Sequence, residues 1–185
     1  MNPYSTDYIE TSSGIAFYPY DPKIEDINVL DIAQSISQLC RFGGHTKHFY
    51  SVAQHSIWVY KYLKENGASP LVQLYGLLHD ATEGYMVDLP TPIKKHLTKY
   101  KAAEDNLHDV IWDALKIKHP SCEQWKQVKE VDMLLQHHEA NFLLPKAAWS
   151  DKTVKLESVY IQEEKMSDVK EEFLLLYRGL INEIR

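Results

Sequence analysis

From residue 28 onward, apolar side chains recur at intervals of three and four, the spacing that gathers them on one side of a helix. The residues between these stretches mark where each helix starts and stops. Asn28 suits the cap of a helix reaching about Leu39, with Leu30, Ala33, Ile36 and Leu39 on one face. Arg41-Phe42-Gly43-Gly44 breaks that helix and opens a loop to Tyr50. Ser51-Val52-Ala53-Gln54 has the form of a capping box, and Gly67 is the natural stop for the helix it begins. Ser69-Pro70 starts the next helix, which runs into Leu77-Leu78-His79-Asp80. The stretch from Gly84 to Pro92 reads as a loop, and Thr91-Pro92 restarts a helix. Helical spacing holds from about Tyr100 to Ile117, until His119-Pro120 ends it. Ser121 caps a long helix carrying Val128, Val131, Leu134 and Leu135, which Pro145 closes. Residues 145–166 are mixed, and Ser167 caps a final amphipathic helix. Residues 1–27 lack this period. Pro3, Pro19 and Pro22 among Tyr4, Tyr8, Tyr18 and Tyr20 suit an extended arm, with Ser12-Ser13-Gly14 as the turn of a short hairpin. The expectation is one all-α domain: an arm or hairpin over residues 1–27 and a helical bundle over 28–185.

Composition narrows the function classes. A chain of 185 residues can bury one well-covered core, and 44% hydrophobic with 25% charged residues is ordinary for a globular protein. A net charge of −6 argues against non-specific binding to duplex nucleic acid, though local cations in one pocket still allow a small anionic substrate. Cys40 and Cys122 are far apart and form no paired motif, as expected of a reducing compartment. MNPYSTDYIE has no basic start or apolar run, and no apolar stretch approaches a membrane span. A soluble, cytoplasmic protein is expected.

The chemistry lies in ligand-type residues on three separate helices. His55 is in the first turns of one, His79 and Asp80 are adjacent at the end of the next, and Asp132 sits among Val131, Met133, Leu134 and Leu135 on a later one. Two imidazoles and two carboxylates suit Mn, Co, Fe, Zn or Ni better than an ion that seeks oxygen alone, and four protein ligands leave room for water. Each element is weak by itself. The chain has nine histidines, and a His-Asp pair is common by chance. A carboxylate within an apolar run says more, because burial without a partner costs several kcal/mol, on the order of what paired or metal-bound groups avoid. The case rests on the conjunction.

In this order, His55, His79-Asp80 and Asp132 resemble the signature of the HD-domain metal-dependent phosphohydrolases. His79-Asp-Ala-Thr-Glu83 followed by Asp88-Leu-Pro-Thr-Pro-Ile-Lys94 is similar to a segment of bacterial 5′-deoxynucleotidases. Arg41-Phe-Gly-Gly-His45 with Tyr50-Ser-Val-Ala-Gln-His55 is similar to a phage-encoded branch that includes dATP triphosphohydrolases. The likeness spans roughly residues 28–140. It implies an HD-type helical bundle, one divalent cation per chain (Mn, Co, Zn, Mg, Fe or Ni), a nucleotide substrate and homo-oligomers.

Around the metal ligands, Glu83 follows His79 by four positions, so a persisting helix would aim it with His79 and Asp80 at a reacting water. The resemblance implies a catalytic role for it. Asp88 lies in the proline-bounded loop, where it either braces a turn or, by the same likeness, orients water or meets the sugar. Arg41 and Lys94 are cations able to meet phosphate oxygens. The likeness places Arg41 beside the nucleotide and Phe42 at the sugar or base, where the 5′-deoxynucleotidases carry Trp. His45 and His48 flank that loop as further donors, and Lys116 and Lys118 are candidates for a longer phosphate chain. His137, His138 and Glu139 read as supporting or surface groups, with a second cation as the alternative. Trp58, Trp112, Trp125 and Trp149 read as core or subunit contacts.

The favoured reading is a deoxynucleoside triphosphohydrolase acting on a dATP-like substrate. The alternative is a 5′-deoxynucleotidase acting on monophosphates. A cyclic-nucleotide phosphodiesterase, which calls for extra histidines and a second metal, and a non-catalytic nucleotide sensor stand behind these.

Overall fold

Four side-chain caps fix where the main helices begin. In the computed structural model, which describes residues 7–185, Asn28 Oδ1 accepts from the Leu30 N–H at the start of α1 (Val29–Gln38). Ser51 and Gln54 form a reciprocal capping box on α2 (Val52–Glu65), and Ser121 and Gln124 form another on α7 (Cys122–Leu143). Ser69 caps α3 (Pro70–Leu78), with Pro70 in the first turn. These starts agree with the sequence pattern. Short helices α4 (Glu83–Met86) and α5 (Thr91–Lys94) follow α3, then α6 (Thr98–Ala114); α8 (Met166–Ile184) ends the chain.

The hairpin also forms. β1 (Ile9–Glu10) pairs antiparallel with β2 (Ala16–Phe17), Ile9 opposite Phe17, around Gly14 at φ 81°. It is fastened to the bundle rather than free. The Ser13 N–H and the hydroxyls of Ser12 and Ser13 donate to the buried Asp31 carboxylate on α1. Phe17 is fully buried and stacks on Tyr85 at 4.2 Å, and the Tyr85 hydroxyl accepts from the Asn28 N–H. Pro3 and Tyr4 of the expected arm lie outside the described residues.

Three boundaries differ from the expectation. Residues 84–86, expected in a loop, turn helically as α4. A side chain at Gly84 would come within 3.3 Å of the Ile32 Cα, so glycine lets α4 lie directly on α1. Helix α6 stops at Ala114, earlier than the apolar period suggests. Lys116 takes φ 56° and the Ile117 N–H bonds back to the Trp112 carbonyl, a left-handed closure. Helix α8 begins at Met166: the Lys165 carbonyl accepts from the Asp168 and Val169 N–H groups, while the Ser167 hydroxyl bonds to Asp168 instead of capping.

The centre of the bundle is α2 packed on α3, with α1, α7 and α8 around them. Most of α2 and α3 is buried, including the polar Gln54, His55, Ser56 and Gln73. Their apolar residues join Ile32, Ile36, Leu107, Ile111, Val128, Leu135 and Phe173 in one core. No helix among the described residues is long and apolar enough to cross a membrane.

Gly76 sits where α3 crosses α2. A Cβ there would collide with Leu63 Cδ1 and lie 3.1 Å from Val59 Cγ1, both in the core. Gly76→Ala is expected to destabilise the protein by about 1–2 kcal/mol despite alanine's better helix propensity, as overpacking does. Urea denaturation checks it; an unchanged or raised midpoint would contradict that packing.

Candidate metal centre

The loop from Arg41 to Tyr50 is closed at its base by an antiparallel bridge. The Arg41 N–H bonds to the Tyr50 carbonyl, the Val52 N–H bonds to the Leu39 carbonyl, and Cys40 faces Ser51. This neck points Arg41 inward, over the first turns of α2 that carry His55. Inside the bundle, Arg41 meets Glu139 on α7, a carboxylate with no exposed surface. Three groups donate to Glu139: Arg41 Nε at 3.0 Å, the Tyr50 hydroxyl at 3.0 Å and His55 Nδ1 at 2.8 Å. Burial pushes the Glu139 carboxyl up, but His55 and Arg41 outweigh it and hold the group below its usual range.

With Nδ1 committed to Glu139, the other His55 nitrogen faces the opposite way. Nε2 lies 3.0 Å from Asp132 Oδ1 and 3.9 Å from Asp80 Oδ2. His79 repeats the arrangement from α3. Its Nδ1 is 2.8 Å from the Gly76 carbonyl, which can only accept, so Nδ1 carries the proton. His79 Nε2 then lies 3.2 Å from Asp80 Oδ2 and 3.7 Å from Asp132 Oδ1, buried and without a hydrogen-bond partner among the described residues. Two imidazole lone pairs aimed at two carboxylates repel unless a positive charge sits among them, as a proton or as a cation. Burial lowers the His79 pKa, yet Asp80 and Asp132 overcome it and raise it to about 9. Burial likewise raises Asp80 and Asp132, and His79 more than reverses it in both.

The donor atoms of His55, His79 and Asp80 lie within 4.8 Å of one another, a group that could hold a metal ion. Asp132 closes the fourth side at the distances above. Two nitrogens and two oxygens, each imidazole anchored through Nδ1, match the way proteins orient histidines toward a metal. The residues fit a divalent cation.

The other sequence candidates lie around this point with differing ties. Arg41 is buried, with NH1 3.6 Å from Asp80 Oδ2. Desolvation works against its charge, but Glu139 and Asp80 hold the guanidinium above its ordinary pKa. Glu83 is buried one helical break later than expected, since α3 ends at Leu78 and a turn intervenes. Its Oε2 has no hydrogen-bond partner among the described residues, and burial, Asp80 and Asp88 together raise its pKa well above its ordinary value. Asp88 is half-buried and is raised by burial and Asp80, against Arg41. The residue before it, Val87, is held at φ 62°, where a β-branched residue is strained. The Tyr100 hydroxyl, bonding to the Met86 and Val87 carbonyls, secures this turn. Lys94 does not stand free: Nζ is 2.7 Å from Glu104 and 3.9 Å from Glu83. Phe42 adopts φ 55° and its ring lies 5.3 Å from the Arg41 guanidinium. His45 is exposed on the same loop, and His48 Nδ1 lies 3.2 Å from the Phe49 carbonyl. Lys116 and Lys118 are exposed beyond α6 and make no ion pair with a site residue among the described residues.

His137 and His138 turn away from the centre. His138 accepts from the Leu156 N–H and bonds to the Val159 carbonyl, and His137 accepts from the Asp151 N–H, so they pin residues 151–159 to α7. Two further residues belong to the site. Lys129 Nζ lies 2.9 Å from Asp132 Oδ2 on the open side, and Glu104 holds Lys94. The i,i+3 spacing of Lys129 and Asp132 was the available signal for the first; Glu104 left none, because its contact crosses from α6 to α5. The apolar run around Asp132 is not wholly core, since Met133 and Leu134 are exposed.

No family model matches the chain. It is 42% identical over 104 residues to the uncharacterized protein YfdR of Escherichia coli (strain K12), a match covering 56% of each chain. It is 37% identical over 92 residues to the uncharacterized protein RCAP_rcc00048 of Rhodobacter capsulatus, covering 47% of each. The matched stretches thus span about half the length of the curated relatives, and the chemistry has to be read from the site.

Removing the Glu139 carboxylate strands a buried guanidinium and releases His55. Glu139→Ala is expected to cost about 3–5 kcal/mol of stability, the range for a broken buried pair. Urea unfolding measures it; a loss under about 1 kcal/mol, typical of exposed pairs, would show the hub carries little.

Proposed function

We propose that this chain is a divalent-metal-dependent phosphohydrolase of the HD type that acts on deoxynucleotides, with a dATP-like triphosphate as the favoured substrate. The carrying observation is the pair of Nδ1-anchored imidazoles aimed at Asp80 and Asp132, beside a buried arginine. A divalent cation held by His55, His79, Asp80 and Asp132 would neutralise phosphoryl oxygens and acidify a water. The remaining work belongs to the chain. Arg41 gives Nε to Glu139 and lays NH1 3.6 Å from Asp80 Oδ2, so a phosphate oxygen bound beside Asp80 would meet the outer edge of the guanidinium. Glu83, buried beside Asp80 with Lys94 3.9 Å from its Oε1, is the chain's group to position the attacking water and exchange a proton with it. Asp88, on the neighbouring turn, orients that water or the sugar. Pro90 of this turn lies close to Gly43, which brings the two loops together.

Two readings divide on the cations. Lys129, 44% exposed on the open side, can exchange Asp132 for an outer phosphate and favours the triphosphate. The ties of Arg41 to Glu139 and of Lys94 to Glu104 leave fewer free donors and favour a 5′-deoxynucleotidase. A panel of deoxy- and ribonucleotides, as mono- and triphosphates with Mn, Co, Mg and Zn, separates them by where phosphate is released. Asp80→Asn is expected to lower kcat/KM by more than about a hundred-fold, beyond the loss typical of a supporting residue. EDTA is expected to lower the melting temperature, with Mn restoring it, as binding to the folded state alone requires. A flat response across the panel, or a melting temperature indifferent to EDTA and Mn, would overturn the proposal.

A further inference from the structure

One tryptophan lies outside the core. Trp149 is 55% exposed, whereas Trp112 is buried. The loop that presents it is nevertheless tightly held. The Ser150 N–H and hydroxyl both bond to the Ala147 carbonyl, the same hydroxyl bonds to Asn141, and Ala147 adopts φ 42°. Lys152 adds bonds to Asn141, Ser150 and the Lys146 carbonyl. A rigid backbone therefore displays a largely open indole.

Its position extends the metal centre outward. From Asp80, Arg41 is 3.6 Å away; the Phe42 ring lies 5.3 Å from the Arg41 guanidinium; and the Trp149 ring lies 6.4 Å from that of Phe42, tilted by 41°. His137 supports the indole from α7 at 5.8 Å. The two halves of this wall, distant in sequence, are bound together. The Lys47 N–H donates to the Leu143 carbonyl and its ammonium to the Phe142 carbonyl, which fastens the Arg41 loop to the end of α7. The sequence carboxylate, guanidinium, phenyl and indole runs parallel to phosphate, sugar and base. Every base has a π-face, so an aromatic platform at this end suits a nucleobase.

We propose that Trp149 is the outer platform on which the base of the nucleotide stacks, with Phe42 as its inner neighbour. The inference rests on the phosphohydrolase reading and adds a specificity-determining residue to it. Such a residue separates nucleotides from phosphate compounds with no base.

The test compares dATP with 2-deoxyribose 5-triphosphate, and dAMP with 2-deoxyribose 5-phosphate, in the wild type, Trp149→Ala and Trp149→Phe. In Trp149→Ala the preference for the base-bearing member of each pair, as a ratio of kcat/KM, is expected to fall about ten-fold through KM, while Trp149→Phe retains most of it. An unchanged ratio overturns the platform. Indole fluorescence gives a second readout that does not depend on the alanine variant folding. Titration with dATP should quench the wild type, and Trp149→Phe should lose that quench while calorimetry still records binding; an equal quench overturns it. If dATP quenches Trp149 but no nucleotide is hydrolysed with any metal, the platform stands and the phosphohydrolase reading falls. If dATP is hydrolysed with ratio and quench blind to Trp149, the reverse holds. If dATP is neither bound nor hydrolysed, both fall.

Discussion

A carboxylate withdrawn completely from water must find donors for its oxygens, and Glu139 finds three of them in the same small volume. Satisfying Glu139 simultaneously fixes the His55 tautomer, draws Arg41 into the interior and ties the loop that begins at Arg41 to α7. His79 reaches the same state by a shorter route, through the carbonyl one turn earlier on its own helix. Both imidazoles are thereby left with Nε2 directed at Asp80 and Asp132. The convergence of these four side chains is thus a consequence of polar satisfaction deep in the bundle, not of any preference of the side chains themselves.

The surrounding architecture divides into rigid support and local strain. Helices α2 and α3 are buried on most sides, so residues on them have little freedom to reorient. The connections that carry Phe42, Val87 and Ala147 each hold a side-chain-bearing residue at positive φ. Such residues persist only where neighbouring contacts over-determine them, and two of the three border the proposed site directly. Tyr100 supplies that constraint at Val87, and the Lys47 bonds supply it beside Phe42. Charge is distributed with the same logic: the acidic groups at the centre are matched from different elements by Arg41, Lys94 and Lys129.

Local chemistry was legible along the chain. Asn28, Ser51, Ser69 and Ser121 cap the helices they were expected to cap, because a cap depends on residues only two or three positions away. The hairpin at Ser12-Ser13-Gly14 was legible for the same reason. Ser167 misled, since its neighbour Asp168 competes for the hydroxyl. Asp132 was picked out because it stands in an apolar run, and it does face the two histidines. The warrant was only partly sound, as Met133 and Leu134 beside it are exposed.

The sequence by itself determined the helical character, most helix starts, and a short set of residues able to bind a cation. Those properties follow from periodicity and from contacts within a turn or two. Tertiary structure alone decided that His55, His79, Asp80 and Asp132 converge, that Glu139 is a buried hub, that Lys94 is held by Glu104, and that Trp149 stands open beside Phe42. Each of these depends on which helix faces which. That is settled by burying several apolar faces at once, a condition no local stretch of sequence contains.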